Sequence, residues 1–331
     1  MFFSLIIPVY NRPDEVQELL ESLTQQVYRK EFEIVIVEDG SATDCRAVVL
    51  GFSDKLNISY YYKQNTGPGD SRNFGMERAK GDYFIILDSD CIIPQDYLEN
   101  VALNLETQYA DCFGGPDAAH DSFSPVQKAI NFTMTSFLTT GGVRGKSEKA
   151  GKFQPRSFNM GLSSKAFKAS GGFGNIHPGE DPDLAMRLWK MGFDTRLYDN
   201  CKVYHKRRID WEKFYIQVNK FGKARPILDL WHPEYKKVTF LFPSIFMLGF
   251  AISLILLLID VQFVFYLFTL YFCWIFIASA VYNRSIWVGL LSIIAVFIQF
   301  YGYGTGYMRS FIKMHVFKEA PQKAFPELFF K

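Results

Sequence analysis

The sequence predicts an α/β fold followed by a membrane-embedded segment, on three observations. Short β-rich runs alternate with amphipathic helical stretches through the first part of the chain, the pattern of a parallel, doubly wound sheet. One run, 83–87, is wholly apolar and stops at Asp88-Ser89-Asp90, as expected of a buried strand that delivers carboxylates to the ligand-binding edge of such a sheet. From 240 to 307 charged residues almost vanish, and a bilayer is the expected surrounding.

Composition sets the outer bounds. The 331 residues carry 36 Lys and Arg against 34 Asp and Glu, a net charge of +2 without the global signature of a nucleic-acid binder. Five cysteines, Cys45, Cys91, Cys112, Cys201 and Cys273, lie apart without the paired spacing of a zinc site or disulfide framework. A reducing cytoplasm is therefore expected. The opening run 1–7 lacks a basic flank, is short for a signal peptide and ends at Pro8, so it reads as the first strand.

In order, a strand over 3–9 is followed by a turn at Asn11-Arg12-Pro13 and a helix from Asp14, with Val16, Leu19, Leu20 and Leu23 on one face. A second strand, 32–37, ends at Glu38-Asp39-Gly40-Ser41, before a helix over 44–50 and a third strand over 58–62. Gly67-Pro68-Gly69-Asp70 opens a helix over 71–79, which leads into the 83–87 strand; a helix over 97–105 and a fifth strand over 110–114 follow. From 117 to 152 the pattern weakens, with Gly141, Gly142, Gly145 and Gly151 among Lys and Ser, and a loop over the cleft is expected. Residues 156–162, Gly171-Gly172-Phe173 and Gly179-Glu180-Asp181-Pro182-Asp183 then lead into a helix carrying Leu184, Leu188 and Met191, stopped by Gly192.

Asp39 and Asp88 end strands two and four, so both face one edge of the sheet. Tyr10 follows strand one, and Arg72 lies in the first turn of the helix before strand four. An aromatic face, a carboxylate, a cation and a carboxylate pair suit a nucleoside diphosphate. No GxGxxG follows strand one and no Walker sequence occurs, which argues against dinucleotide and P-loop enzymes. Asp88 and Asp90 repel each other unless a cation lies beside them: either they hold Mg²⁺ or Mn²⁺, or they cap the helix beginning near Pro94. Glu180-Asp181 also reads two ways, as a helix N-cap before Pro182 or as the source of a general base.

Four separated motifs then occur in a fixed order: Ile6-Ile7-Pro8-Val9-Tyr10-Asn11; Val37-Glu38-Asp39-Gly40-Ser41; Gly69 to Asn73 leading to Asp88-Ser89-Asp90; and Gly171-Gly172-Phe173 leading to Glu180-Asp181. With this set, the sequence resembles the family-2 inverting glycosyltransferases of the GT-A fold over about residues 1–225. The resemblance implies a donor site of Pro8, Tyr10 against the base, Asn11, Asp39 on the base, Arg72, Asp88 and Ser89. It implies Mn²⁺ or Mg²⁺ at Asp88 and Asp90, with His205 as a further ligand unless that residue only ends a strand in the basic run 206–208. Asp181, with Glu180 beside it, is implied as the catalytic base. Processive members carry Gln-x-x-Arg-Trp where this chain has Gln217-Val218-Asn219-Lys220-Phe221, so a single addition is implied. The implied partners are a nucleotide-sugar donor, a UDP-sugar foremost, and a lipid-linked or membrane glycan acceptor in cell-envelope glycan assembly. A sugar hydroxyl needs a carboxylate to deprotonate it and a phosphate does not, which favours a hydroxyl acceptor over polyprenyl phosphate. The rival readings are a nucleotidyltransferase and, from another class, a nucleotide-sugar-sensing scaffold or transporter subunit.

After the 1–225 domain, 226–240 reads as an interfacial linker, 241–308 as the membrane helices and 309–331 as a basic tail. The helix expected over 211–226 interleaves Phe214, Val218 and Phe221 with Lys213, Lys220, Lys223 and Arg225, suiting either a membrane surface or an ordinary solvated face. Three apolar stretches follow, about 242–260, 262–282 and 286–307. Lys236, Lys237 and Arg284 would lie with the catalytic domain in the cytoplasm of a bacterial inner-membrane protein. Three crossings would then place Arg309, Lys313, Lys318 and Lys323 outside. Either the tail tolerates that, or one segment is re-entrant or interfacial and the count is even.

Overall fold

A computed structural model describes residues 1–118, 123–140, 152–205 and 210–330. Of the loop expected over 117–152, residues 119–122 and 141–151, which carry its four glycines, lie outside the described residues. The chain forms two compact units. One is built from the described residues between 1 and 120, between 148 and 206, and from 329 onward; the other from those between 121 and 147 and between 207 and 328.

The first unit contains β1 (Phe3–Val9), α1 (Pro13–Thr24), β2 (Phe32–Asp39), α2 (Arg46–Leu50), β3 (Ile58–Lys63), α3 (Pro68–Arg78), β4 (Tyr83–Leu87), β5 (Cys91–Ile92), α4 (Tyr97–Thr107), β6 (Cys112–Gly114) and β7 (Asp117–Ala118). The second unit contributes α5 (Pro125–Thr135) and α6 (Phe137–Thr140), after which β8 (Asn159–Ser163), α7 (Ser164–Ser170), α8 (Glu180–Lys190), β9 (Thr195–Leu197) and β10 (Val203–His205) complete the first. Its main sheet has the order β3-β2-β1-β4-β8-β6-β9. Strands β1 to β4 pair in parallel, but β8 runs antiparallel to both neighbours. The sheet is therefore mixed, which corrects the all-parallel expectation. Every residue of Asn159-Met160-Gly161-Leu162-Ser163 is buried, and none is β-branched or aromatic, so neither alternation nor composition marks the strand.

Successive residues face opposite sides of the sheet and fill two cores. Leu5, Ile7, Ile36 and Ile85 pack with Leu19 and Leu23 of α1 and Leu98 of α4. Ile6, Val35, Phe84 and Ile86 pack with Met76 of α3, Ala166 of α7 and Leu184 and Leu188 of α8. A small second sheet, β5-β10-β7, sets His205 opposite Cys91. Near the end of the chain, Phe329 bridges Ile176, and the Phe330 backbone N–H donates to the Asn175 carbonyl at 3.0 Å.

The second unit also contains α9 (Trp211–Trp231), α10 (Phe242–Leu258), α11 (Phe263–Asn283), α12 (Ile286–Phe311) and α13 (Pro321–Ala324). Helix α5 falls where the sequence pattern was expected to weaken. Ser124 caps it reciprocally with Gln127, and Ala129, Ile130, Phe132 and Met134 are buried. Helix α9 continues past Pro226, where the sequence suggested its end. Proline removes one donor there, and the buried Arg225–Asp229 pair at 3.0 Å, one turn apart, spans the break. Three segments, Val238–Leu258, Phe263–Asn283 and Ile286–Val316, are long and apolar enough to cross a membrane.

Candidate active site

The parallel strands β2, β1 and β4 deliver their C-terminal residues to one edge of the first unit's sheet. At the end of β1, Pro8 and Val9 give way to Tyr10, whose side chain is exposed, and to Asn11, which holds a left-handed backbone with φ 54°. The Asn11 N–H donates to Ser41 Oγ at 2.7 Å, and its Oδ1 accepts from the Ala42 and Thr43 N–H groups at 2.8 and 3.2 Å. Ser41 in turn donates to buried Glu38. The loops after β1 and β2 are thereby one rigid piece.

Asp39, at the tip of β2, is buried and doubly engaged. Its Oδ1 accepts from Lys63 Nζ at 2.7 Å and the Thr66 N–H at 3.0 Å, and its Oδ2 from the Gly67 N–H at 3.0 Å. Gly40 turns the chain away with φ +74°, and a Cβ there would meet the Asn65 backbone nitrogen at 2.7 Å, so this turn requires glycine.

Arg72, the fifth residue of α3, joins the separate motifs. One guanidinium nitrogen donates to Asp88 Oδ1 at 2.8 Å and another to Glu180 Oε1 at 3.1 Å, while the group lies 5.3 Å from the centre of the Phe173 ring. Glu180, at the start of α8, also meets His177 Nδ1 at 2.9 Å and accepts from the Gly179 N–H at 3.0 Å. Burial opposes ionisation, but His177 and Arg72 hold this carboxyl down at about 2. Burial likewise opposes the His177 charge, and Glu180 overcomes it, raising the imidazole above its usual value. Asp181 meets Arg156 at 3.6 Å, and its side chain is 17% exposed against 4% for Glu180. The two adjacent acids thus differ in kind: Glu180 is locked inside, and Asp181 lies at the rim.

Asp90 pairs with Arg12 on one side and with His205 Nε2 at 3.2 Å on the other. Against the desolvation of burial, His205 and Arg12 hold its carboxyl well below the usual range. The His205 ring stacks on Phe158 at 4.9 Å, and its buried Nδ1 has no hydrogen-bond partner among the described residues. Ligand atoms of Asp90, Cys91 and His205 lie within 4.8 Å of one another. The Asp90 oxygens and an imidazole nitrogen left over suit a divalent cation of the Mn²⁺ class. Burial pushes the Cys91 thiol far up, and its Sγ is 3.5 Å from the Phe158 carbonyl, so it is not poised as a thiolate ligand. Among the residues expected at the metal, the structure brings Asp90 and His205 together, while Asp88 turns to Arg72; Ser89 between them is buried.

Sequence reading missed Arg12, Lys63, Arg156 and His177, each of which partners an expected site carboxylate. Arg12 directly follows the Tyr10-Asn11 motif and His177 lies three residues before Glu180, so adjacency was the only signal available. Lys63 and Arg156 carried none.

Comparison with known proteins follows this geometry. The family model for glycosyl transferase family 2 matches residues 4–170. A poly(ribitol-phosphate) beta-N-acetylglucosaminyltransferase, TarS, of Staphylococcus aureus is 35% identical over 114 residues, 34% of this chain and 20% of that protein. The chain thus matches about a fifth of that relative's length. The crystal structure of residues 1–349 of S. aureus TarS superposes with a TM-score of 0.50 at 21% identity, covering 70% of this chain and 65% of the other. A mannosyltransferase of Pyrobaculum calidifontis, solved with GDP-Man and Mn²⁺, superposes with a TM-score of 0.52 at 16% identity, covering 68% and 63%. The two superpositions show a shared fold.

Proposed function

The chain belongs to glycosyl transferase family 2, and from that premise we propose that it moves one sugar from a nucleoside-diphosphate sugar, a UDP-sugar foremost, to a hydroxyl of a membrane- or lipid-linked acceptor, with inversion. The observation that carries the reading is the buried Arg72 guanidinium, which ties Asp88 of the donor motif to Glu180 beside the acceptor motif. Arg72 thereby fixes the spacing between the group that handles the donor and the helix start that handles the acceptor.

Asp39 has spent three acceptor positions on Lys63, Thr66 and Gly67, which leaves a carboxylate one further lone pair for an N–H of the base. Exposed Tyr10 offers an aromatic face next to it in the loop that Asn11 rigidifies. Departure of the diphosphate builds negative charge, and a divalent cation held by Asp90 and His205 would neutralise it. The attacking hydroxyl must lose its proton. Glu180 is buried and already held by Arg72, His177 and Gly179, so Asp181 takes the proton and Glu180 holds the helix start in register. The likeness to a mannosyltransferase solved with GDP-Man and Mn²⁺ supports the metal and donor class; the name of the S. aureus relative supports sugar transfer to a polyol-phosphate or other envelope hydroxyl. The three apolar helices support a membrane-anchored enzyme with the acceptor delivered at the bilayer.

Asp181→Asn is expected to bind donor normally and to lose roughly 10² to 10⁴-fold in turnover, the usual contribution of a positioned base. Transfer is followed with a radiolabelled UDP-sugar and membrane lipid extract. Near-normal turnover of that variant would remove Asp181 from the role and move the acceptor toward a phosphate.

A further inference from the structure

Three apolar helices in a row pose a problem of parity, because an odd number of crossings separates the helix before them from the tail after them. The second unit holds those two flanks together. Lys223 of α9 donates to Glu327 at 3.0 Å and lies 5.7 Å from the centre of the Phe325 ring. Arg309 and Lys313 approach the same ring at 6.0 and 5.2 Å. Flanks in contact share one side of a bilayer, so the helices between them cross it an even number of times.

Packing identifies the helix that does not cross. Helix α12 lies against α9 at intervals small enough to require glycine: a Cβ on Gly302 would meet Val218 at 2.6 Å, on Gly306 the Asn219 carbonyl at 2.3 Å, and on Gly222 the Tyr303 carbonyl at 2.1 Å. Asn219 Nδ2 also donates to the Gly302 carbonyl at 2.9 Å. Helix α9 carries Glu212, Lys213, Lys220 and Lys223, and each Lys at the centre of a spanning helix costs about 2.5–3.5 kcal/mol on insertion scales. Driving α12 through hydrocarbon would drag those charges with it. Accordingly half of the α12 segment's apolar window is buried in protein, against 17% and 11% for the other two.

Helices α10 and α11 are different. They pair as a hairpin, with Phe246 and Phe250 against Phe268 and Phe272. They meet α12 through the halves nearer their base: Ser244 Oγ donates to the Gly304 carbonyl at 3.1 Å, Ser279 and Ser292 hydroxyls meet at 2.6 Å, and the Phe250 and Phe297 rings lie 5.8 Å apart. Toward the turn, Ile255, Leu258, Phe263 and Leu270 are exposed. Seventeen and 21 residues give helices of about 26 and 32 Å, matching a hydrocarbon core of about 30 Å. On α12, Trp287, Leu290, Ile294, Phe297 and Tyr301 form an exposed stripe at helical spacing, as on a helix lying in an interface.

We propose that the lipid bilayer is this unit's partner through two distinct surfaces: the α10–α11 hairpin crosses it, and α12 lies along its interface with α9 beneath, leaving α9 and the tail on one side. The proposal rests on the membrane-anchored reading above and adds its topology. The test uses the full-length protein with Cys273→Ala, the other cysteines being buried, and one of Glu212→Cys, Gln262→Cys or Lys318→Cys, in sealed membrane vesicles. Labelling with an impermeant maleimide is expected to reach 212 and 318 from the same side and 262 from the opposite side. Labelling of 318 and 212 from opposite sides would overturn the even count; labelling of 262 from the side of 212 would overturn the crossing hairpin. Release of the protein by alkaline carbonate would overturn the membrane reading itself, and sugar transfer assayed in detergent reports on the catalytic reading independently.

Discussion

Arg72 is the residue on which the site turns. Its guanidinium is buried, faces two carboxylates and lies by an aromatic ring. Removing one partner from such a buried ionic group leaves uncompensated charge, at a cost of about 3–5 kcal/mol. Arg72→Met is therefore expected to lower the thermal midpoint of the detergent-solubilised protein markedly and abolish transfer, whereas Arg72→Lys, unable to reach both acids with one planar fork, keeps more stability than activity. The Glu180–His177 contact predicts a pH window. Glu180 is lowered to about 2 from its ordinary 4.5, so its contribution is complete above 4.5 and is lost as pH falls toward 2. His177 is raised from 6.5, so its contribution is complete below 6.5 and is lost as pH rises past the raised value. Thermal melting against pH should show His177→Gln losing stability most between about 4.5 and 6.5 relative to the parent; a parallel offset at every pH would contradict the pairing. At this scale the acids were legible, because Asp39, Asp88, Asp90, Glu180 and Asp181 close or open recognisable elements. Of their cations Arg72 was legible but its pairing was not, and Arg12 was not, since Arg12 reaches Asp90 across 78 positions and Arg72 reaches Glu180 across 108.

Among elements, strands β1 to β4 and helices α10 to α12 were readable because each carries its own period or length of apolar residues. Strands β8 and β9 were not, and β10 was foreseen only as a strand ending at His205: the last two have three residues each, and their burial comes from neighbours far away in sequence. Yet β10 is what brings His205 to Asp90, through its antiparallel register with β5. Helix α5 was missed although Ser124-Pro125-Val126-Gln127 spells a capping box. The contact of α9 with α12 makes an element-scale prediction. Gly222→Ala sets a Cβ 2.1 Å from the Tyr303 carbonyl, so the two helices must part, at a cost of about 1–3 kcal/mol. Melting of the detergent-solubilised variant should show that loss, while Gly171→Ala, with nothing within 4 Å of its Cβ, strains only its own left-handed backbone.

At the level of the whole molecule, a family-2 catalytic unit and a helical unit with three long apolar segments share one chain. In the function proposed above, the helical unit would bring a water-soluble nucleotide sugar to an acceptor held in lipid. In the proposed reaction, the site uses a divalent cation to release nucleotide from a sugar donor. The most direct measurement is nucleotide release by the full-length, detergent-solubilised protein from a panel of nucleotide sugars, with acceptor lipid extract, in Mn²⁺, in Mg²⁺ and in chelator. Release from one donor that chelator abolishes and Mn²⁺ restores, and that Asp90→Ala fails to recover, is the predicted result. Release unaffected by chelator, or no release and no binding of any donor, would contradict it.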